Sequence, residues 1–235
     1  MPHELEKPGS PADLYRALGE DVSAARPILT GDVFTSVEAR DADGTSQHRT
    51  IMILDHPCSL RTDGVNLAPR LTVAEVRTSQ GGSWRGNYGK IFLPSLTTTS
   101  EGTAENYAAF FDSCFLISPE RLEAGERIAC LSHHGINLLL QRRVMHFSRV
   151  VVPTFNFQEA NQGVYEEADV VEDWCISRED DGVKPSDASL ECANWLKEEV
   201  NGRRRQDMLK DAQQRSTVRK QMRDALKSLR QSTEM

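Results

Sequence analysis

The amino-acid sequence predicts an α+β protein, with a barrel-like antiparallel sheet over residues 25–117, flanking helices and a charged C-terminal helical appendage. Three observations predict this fold. Short apolar or alternating runs bounded by turn residues recur through the first half of the chain. A spacing of three and four residues between apolar positions replaces them near residue 133. The net charge then changes sign along the C-terminal third.

The predicted strands are short and follow one another closely. The run 50–54 is unbroken, apolar and β-branched at its start, which predicts a buried central strand. Residues 31–37 alternate only partly between apolar and polar side chains, and a proline closes the run 90–94. The complete set of predicted strands is 31–37, 50–54, 71–76, 90–94 and 110–117.

Two helices are predicted around this sheet. Ser10 followed by a proline is typical of a helix start, and it predicts a helix with Leu14 and Leu18 on its inner face. From residue 133 the apolar positions recur at helical spacing, which predicts a helix over 133–149 that Pro153 ends.

Charge divides the chain into three predicted parts. Residues 1–158 carry a net charge of −3 and form the predicted globular domain. The next 42 residues carry −10, and their first part, 159–186, is predicted to be a solvated acidic linker. Residues 187–235 form the predicted helical segment, whose last 35 residues carry +6. This basic end could contact phosphate, an acidic protein partner or the acidic segment of the same chain.

Composition excludes several classes of protein. No stretch reaches the ~18–20 apolar residues that span a bilayer, so no membrane association is expected. The start of the chain lacks the pattern of a secretory signal, and the five cysteines form no CxxC pair, so we expect a cytoplasmic protein without a disulfide framework. No metal or other cofactor is expected. A net charge of −7 argues against coating nucleic acid with the whole surface, but it permits a local basic site.

A glycine-rich loop is the first candidate for nucleic-acid binding. It carries two aromatic residues, Trp84 and Tyr88, between two cations, Arg85 and Lys90. Aromatic rings can stack on bases while cations contact phosphates. The alternative is a long hairpin loop whose Trp84 and Tyr88 fold back on the sheet.

The polar side of the predicted helix 133–149 is a second candidate. Arg142, His146 and Arg149 follow one another at four- and three-residue steps and would form one basic stripe. His146 could then act as a general acid or base, with the arginines holding a phosphate. The alternative is a solvated helix face.

The segment 55–61 directly follows the predicted central strand and is a third candidate. His56 and Cys58 could form a thiolate–imidazolium pair or contribute two metal ligands. The alternative is a tight turn in which Pro57 sets the geometry and Asp55 or His56 satisfies backbone groups.

Residues 26–34 and 49–54 together resemble the opening of the PemK/MazF-like family, which begins with a Gly-Asp-Val strand followed by an apolar strand that bears an arginine. Other stretches are similar to uncharacterised bacterial proteins. The family resemblance implies a small SH3-like β-barrel with added helices, which often forms a homodimer. It also implies metal-independent cleavage of RNA with an arginine and a Ser/Thr, and Arg49 matches that arginine. Thr50 stands where the family has proline.

Three functions are therefore predicted. The first is a module that binds RNA or DNA on a toxin-like barrel without assured catalysis. The second is a protein-interaction component of a bacterial phage-defence or mobile-element assembly, with the C-terminal helix as the contact for a protein partner. The third is a divergent endoribonuclease that uses Arg49 with His56 or His146.

Overall fold

The computed structural model describes residues 4–40, 43–61, 66–79, 84, 88–98 and 103–233. The structure contains both helices and sheet, with 43% of residues helical and 30% in strands. It forms two compact units. Unit 1 consists of Met1–Val22, Leu29–Thr62 and Leu67–Glu159, and unit 2 consists of Ser23–Ile28, Asp63–Asn66 and Ala160–Met235.

Unit 1 is built on a seven-stranded antiparallel sheet that forms a nearly closed barrel. The strands lie side by side in the order β1-β7-β2-β3-β4-β6-β5. Three helices accompany the sheet. In chain order the elements are α1 (Pro11–Leu14), β1 (Tyr15–Leu18), β2 (Val33–Arg40), β3 (Ser46–Ile53), β4 (Leu71–Thr78), β5 (Lys90–Thr98), β6 (Ala104–Ile117), α2 (Pro119–Glu123), β7 (Glu126–Leu131) and α3 (His133–Ser148).

A hydrogen bond joins the two outermost strands of the sheet. The Tyr15 hydroxyl on β1 donates to the carbonyl oxygen of Pro94 on β5 at 3.0 Å. Burial raises the pKa of Tyr15 far above its ordinary range, so the hydroxyl remains protonated and remains a donor. This contact joins the two edges of the nearly closed barrel.

One face of the sheet forms the core of the barrel. Met52 pairs with Ala74, and Val76 pairs with Ala109, which in turn pairs with Ile91. Residues directly opposite each other on antiparallel strands point to the same side. All five are 0–4% exposed, so this side is the packed interior.

The five predicted strands are all present. The predicted central strand 50–54 corresponds to β3, in which Ile51, Met52 and Ile53 are completely buried. The helix predicted after Ser10 is confirmed only as the single turn α1, because Tyr15 pairs with Leu131 on β7 and the chain continues as a strand. Strand pairing here outweighs the local helix signal.

Helix α3 occupies the predicted position. The Ser132 hydroxyl accepts a hydrogen bond from the Gly135 backbone N–H at 3.0 Å and caps the first turn. The helix ends at Ser148, earlier than Pro153, because Arg149 adopts a left-handed conformation with φ of 62°.

Unit 2 is mainly helical, and this corrects one prediction. The stretch predicted as an acidic linker, 159–186, lies largely within a continuous helix, α4 (Thr154–Glu179). Val170, Val171, Trp174 and Cys175 recur at helical spacing and are buried, which stabilises the helix despite its acidic residues. The other elements are α5 (Pro185–Lys197), β8 (Glu199–Val200), β9 (Arg203–Arg204), α6 (Arg205–Met208) and α7 (Arg215–Thr233).

The core of unit 2 forms around two tryptophans. The rings of Trp174 on α4 and Trp195 on α5 lie 5.2 Å apart between centroids. Helix α7 buries Val218, Met222 and Leu226 in the same cluster. The apolar side of the C-terminal helix, which the sequence analysis assigned to a protein partner, is therefore covered within its own unit.

Charge pairing also holds α7 in unit 2. Arg219 lies 2.9 Å from Glu166, 3.2 Å from Asp173 and 3.8 Å from Asp169, all on α4. Near the end of α7, Arg230 lies 2.9 Å from Asp181. Of the three contacts predicted for the basic end of the chain, the acidic segment of the same chain is the one that the structure shows for these arginines.

Candidate nucleic-acid interface

Two of the predicted candidates, Trp84 of the loop and Arg142 of helix α3, are in contact in the structure. This contact fixes the position of the loop. The Arg142 guanidinium on α3 donates to the carbonyl oxygen of Trp84 at 3.0 Å and to that of Glu6 at 3.3 Å. It also lies 4.6 Å from the centroid of the Trp84 ring. The Trp84 and Phe92 rings are in edge-to-face contact, with 6.1 Å between their centroids. Two contacts, with Arg142 and with Phe92 of β5, thus hold the Trp84 ring within unit 1.

Arg142 is not part of a solvated basic stripe. Its side chain is 1% exposed, and burial lowers its pKa to about 10. Arg142 remains charged at neutral pH, and the charged guanidinium contacts the backbone carbonyl and the ring of Trp84 in the loop. Arg149 is the left-handed residue that follows α3, so it does not continue the helix face. The predicted stripe does not form, because Arg142 is buried and the helix ends before Arg149.

His146 lies among aromatic rings. Its ring centroid is 5.7 Å from that of Phe111 and 4.7 Å from that of Phe147. Tyr88 is 38% exposed at the end of the loop. Arg85 lies outside the described residues. Tyr88 and Lys90 are therefore the described loop candidates that could contact nucleic acid directly.

The segment after β3 forms a tight turn. The Asp55 carboxylate accepts the Thr72 backbone N–H at 2.6 Å. The His56 side chain accepts the Cys58 backbone N–H at 3.2 Å through Nδ1 and caps the short 3₁₀ turn Pro57–Ser59. Cys58 itself is exposed. These contacts are those of the structural alternative, in which Asp55 and His56 satisfy backbone groups.

A second group of cations and aromatic rings lies on the sheet itself. Glu75 on β4 pairs with Phe110 on β6, and Phe110 pairs with Lys90 on β5. Arg77 is two residues beyond Glu75, so its side chain is on the same side. Arg49 on β3 precedes Thr50, which pairs with Val76, and this places Arg49 beside Arg77. The register thus puts these side chains on one face of the sheet, the face on which the neighbouring Ile51 and Val73 are fully buried.

Contacts between these side chains form a continuous chain. Arg77 lies 4.3 Å from the Phe110 ring centroid, and Lys90 lies 5.2 Å from the same centroid. At the other end, Arg49 lies 5.9 Å from the centroid of Phe115. Both arginines are 3.8 Å from the Glu75 carboxylate. We call this group the cation–aromatic strip; in order of contact it consists of Phe115, Arg49, Glu75, Arg77, Phe110 and Lys90.

The strip is accessible and positively charged. The Arg77 side chain is 49% exposed, and those of Arg49 and Glu75 are each 21% exposed. Separations of 3.8 Å are too long for hydrogen bonds, so Glu75 orients the arginines by charge alone. The strip contains three cations and one carboxylate, and two of the cations, Arg49 and Arg77, lie beside that carboxylate. Arg77 lies over the Phe110 ring and is half exposed, so part of its guanidinium is open to solvent.

The sequence predictions include Arg49 and Lys90 but miss Arg77, Phe110 and Phe115. The pair Arg49 and Lys90 is separated by 41 positions, so only strand register places the two residues on one face. A usable signal was the alternation of Glu75 and Arg77 along a predicted strand, which implies a charged face. The two phenylalanines instead appear in the sequence as part of an apolar run.

No protein-family model matches the chain, and no curated protein matches it. No helix in the described ranges has the length and apolar character needed to cross a bilayer. Nor do the described His, Cys, Asp and Glu residues include a group of three or more placed to hold a metal ion. The candidate site therefore rests on its geometry.

Proposed function

We propose that this protein binds single-stranded nucleic acid, RNA or DNA, along the cation–aromatic strip. The observation that carries the proposal is the chain of contacts from Phe115 to Lys90 on one sheet face, in which three cations lie over two aromatic rings and Glu75 links the two arginines. Exposed bases stack on aromatic rings and on guanidinium planes, while cations neutralise phosphates. The toxin-like SH3 barrel inferred from residues 26–34 and 49–54 is part of the same proposal.

Arg77 is the central residue of the proposed contact. Its side chain is more exposed than those of Arg49 and Glu75. Phe110 and Glu75 contact it from two sides. A base stacked on its outer face would find the guanidinium already oriented, which lowers the entropy cost of binding. A phosphate beside that base would lie near Lys90 or Arg49.

The test is binding of labelled RNA and single-stranded DNA by fluorescence anisotropy at low salt. We expect Arg77→Ala to weaken binding about tenfold, because one stacking contact is worth on the order of 1–3 kcal/mol. Arg223→Ala is the matched control, since it removes an exposed arginine from α7 and should leave binding unchanged. Thermal melts of both variants check that the fold is retained.

The same samples separate the other two functions. Cleavage of RNA in EDTA on denaturing gels, lost in Arg49→Ala, would favour the endoribonuclease. The absence of both binding and cleavage would contradict the proposal and favour a protein partner. A surface for such a partner is available in unit 1, where Phe147, Val150 and Phe155 are 55–66% exposed.

A further inference from the structure

A cleft of about 400 Å³ lies at one end of the sheet in unit 1. The ends of β2 and β6 form two of its walls. The two residues that precede β4, Pro69 and Arg70, and the start of α2 form the others. The side chains that matter below are Arg40, Arg70, Arg121, Glu38, Phe115 and Leu116.

The cleft is rich in guanidinium groups. Arg40, Arg70 and Arg121 line it, and Glu38 is the single carboxylate among its described lining residues. Arg121 donates to the carbonyl oxygen of Glu38 at 3.0 Å, and Arg40 donates to that of Gly44 at 3.2 Å. Each of these bonds uses one of five guanidinium donors, so it fixes the group in place while leaving capacity for a ligand. The arrangement suits an anion that accepts several hydrogen bonds.

Another part of the cleft wall is apolar. Phe115, Leu116 and Ile117 from the end of β6 form it, and Leu116 is 57% exposed. A wall with apolar side chains next to guanidinium groups suits a ligand that has both an apolar part and an anionic part. The ligand that satisfies both walls has a flat, weakly polar ring and a strongly charged group. Nucleotides combine these two features.

The cleft is continuous with the cation–aromatic strip. Phe115 lies under Arg49 in the strip and is also part of the apolar wall of the cleft. Helix α2 stands at the far side, where Arg121 ties it to β2. A strand lying along the strip from Lys90 towards Phe115 would therefore reach the cleft with its last nucleotide.

We propose that this cleft binds the phosphate monoester of a nucleotide, as the free nucleotide or as the phosphorylated end of a strand that occupies the strip. A monoester carries a charge of about −1.5 to −2 at pH 7 and three acceptor oxygens, whereas an internal diester carries a single charge. The three guanidinium groups that line the cleft outnumber its one carboxylate and favour the larger charge. The strand-end form of this inference rests on the proposed function.

The experiment compares oligonucleotides of one sequence that carry a 5′-phosphate, a 3′-phosphate or hydroxyls at both ends. We expect one phosphorylated form to bind about tenfold more tightly than the hydroxyl form, as several charge-assisted hydrogen bonds imply. Arg70→Gln should remove this advantage and leave the hydroxyl form unaffected. Arg223→Gln, on α7, is the matched control and should retain the advantage. A calorimetric titration with a nucleoside monophosphate, the parent nucleoside and inorganic phosphate tests the free ligand.

The outcomes distinguish the cleft from the strip. Equal binding of all three oligonucleotides, with no binding of the monophosphate, would overturn the inference while leaving the proposed function intact. An advantage that survives Arg70→Gln would also overturn it. If no oligonucleotide binds, the proposed function fails. The inference about the cleft then stands only if the monophosphate binds more tightly than the nucleoside and Arg70→Gln removes that difference in affinity.

Discussion

His56 is half-buried after the central strand, and its neutral Nδ1 accepts the backbone N–H of Cys58. Burial, and then the nearby charge of Arg143, lower the pKa of His56 below its ordinary value. The unfolded chain therefore binds a proton at His56 more readily than the folded chain does. Stability should be present in full above pH ~6.5 and should fall as the pH drops through the folded-state pKa of His56.

The substitution His56→Asn tests this expectation. Asparagine can cap the turn through its side-chain oxygen, and it does not titrate in this range. We expect thermal melts between about pH 5 and pH 7 to show a smaller loss of stability on acidification in the variant than in the parent protein. Identical pH profiles for the two proteins would show that protonation of His56 does not contribute to the loss of stability. A catalytic His56 would instead require loss of an activity at constant stability.

At the residue scale, the sequence indicates the right residue types but not their use. Trp84 and Arg142 were assigned from separate patterns, and they do meet in the structure, because α3 packs near the loop. Their contact holds the loop, which a periodicity argument does not reveal. Arg77 and Phe110 were missed since their contact depends on the pairing register of β4 and β6, and that register includes a bulge between Ala74 and Glu75.

At the scale of elements, helix α4 shows why charge composition misled the prediction. Its carboxylates are typical of a solvated linker, but Arg219 from α7 pairs with several of them. Arg26, which is distant in sequence, lies 2.7 Å from Glu172 and is 3% exposed. An acidic helix can be stable when opposite charges that the sequence places elsewhere are brought to it.

Arg219 is the centre of this pairing, so we expect Arg219→Ala to destabilise unit 2. The side chain is 30% exposed, which limits the loss to about 1 kcal/mol at low salt. The loss should shrink at high salt because the three carboxylates on α4 are then screened. Chemical denaturation followed by tryptophan fluorescence measures it, since Trp174 and Trp195 lie in the core of unit 2.

The adjacent Lys220 provides the matched control for this measurement. It is on the same helix, carries the same charge and is exposed. Lys220→Ala should change stability little at either salt concentration. An equal and salt-independent loss in both variants would show that helix propensity, and not pairing with α4, explains the effect of Arg219→Ala.

At the scale of the whole molecule, apolar runs in the sequence were sufficient to predict a barrel-like sheet. They did not reveal β1 and β7, which pair with each other and complete the sheet beside β2. Both strands are short, and β1 directly follows a genuine helix start. The division of the chain into units was also hidden, because Ser23–Ile28 belongs with the helical unit although it precedes the central strands. Such long-range assembly leaves no local pattern.

The overall charge of −7 makes the salt dependence of nucleic-acid binding a test of where binding occurs. If the three cations of the strip, Arg49, Arg77 and Lys90, neutralise about three phosphates, log Kobs should fall with log salt with a slope of about −2, since each phosphate on a single strand contributes about −0.7. Lys90→Ala should make the slope shallower by about 0.7. Binding through the basic C-terminal segment, which carries ten Lys and Arg residues, would produce a steeper slope that Lys90→Ala leaves unchanged.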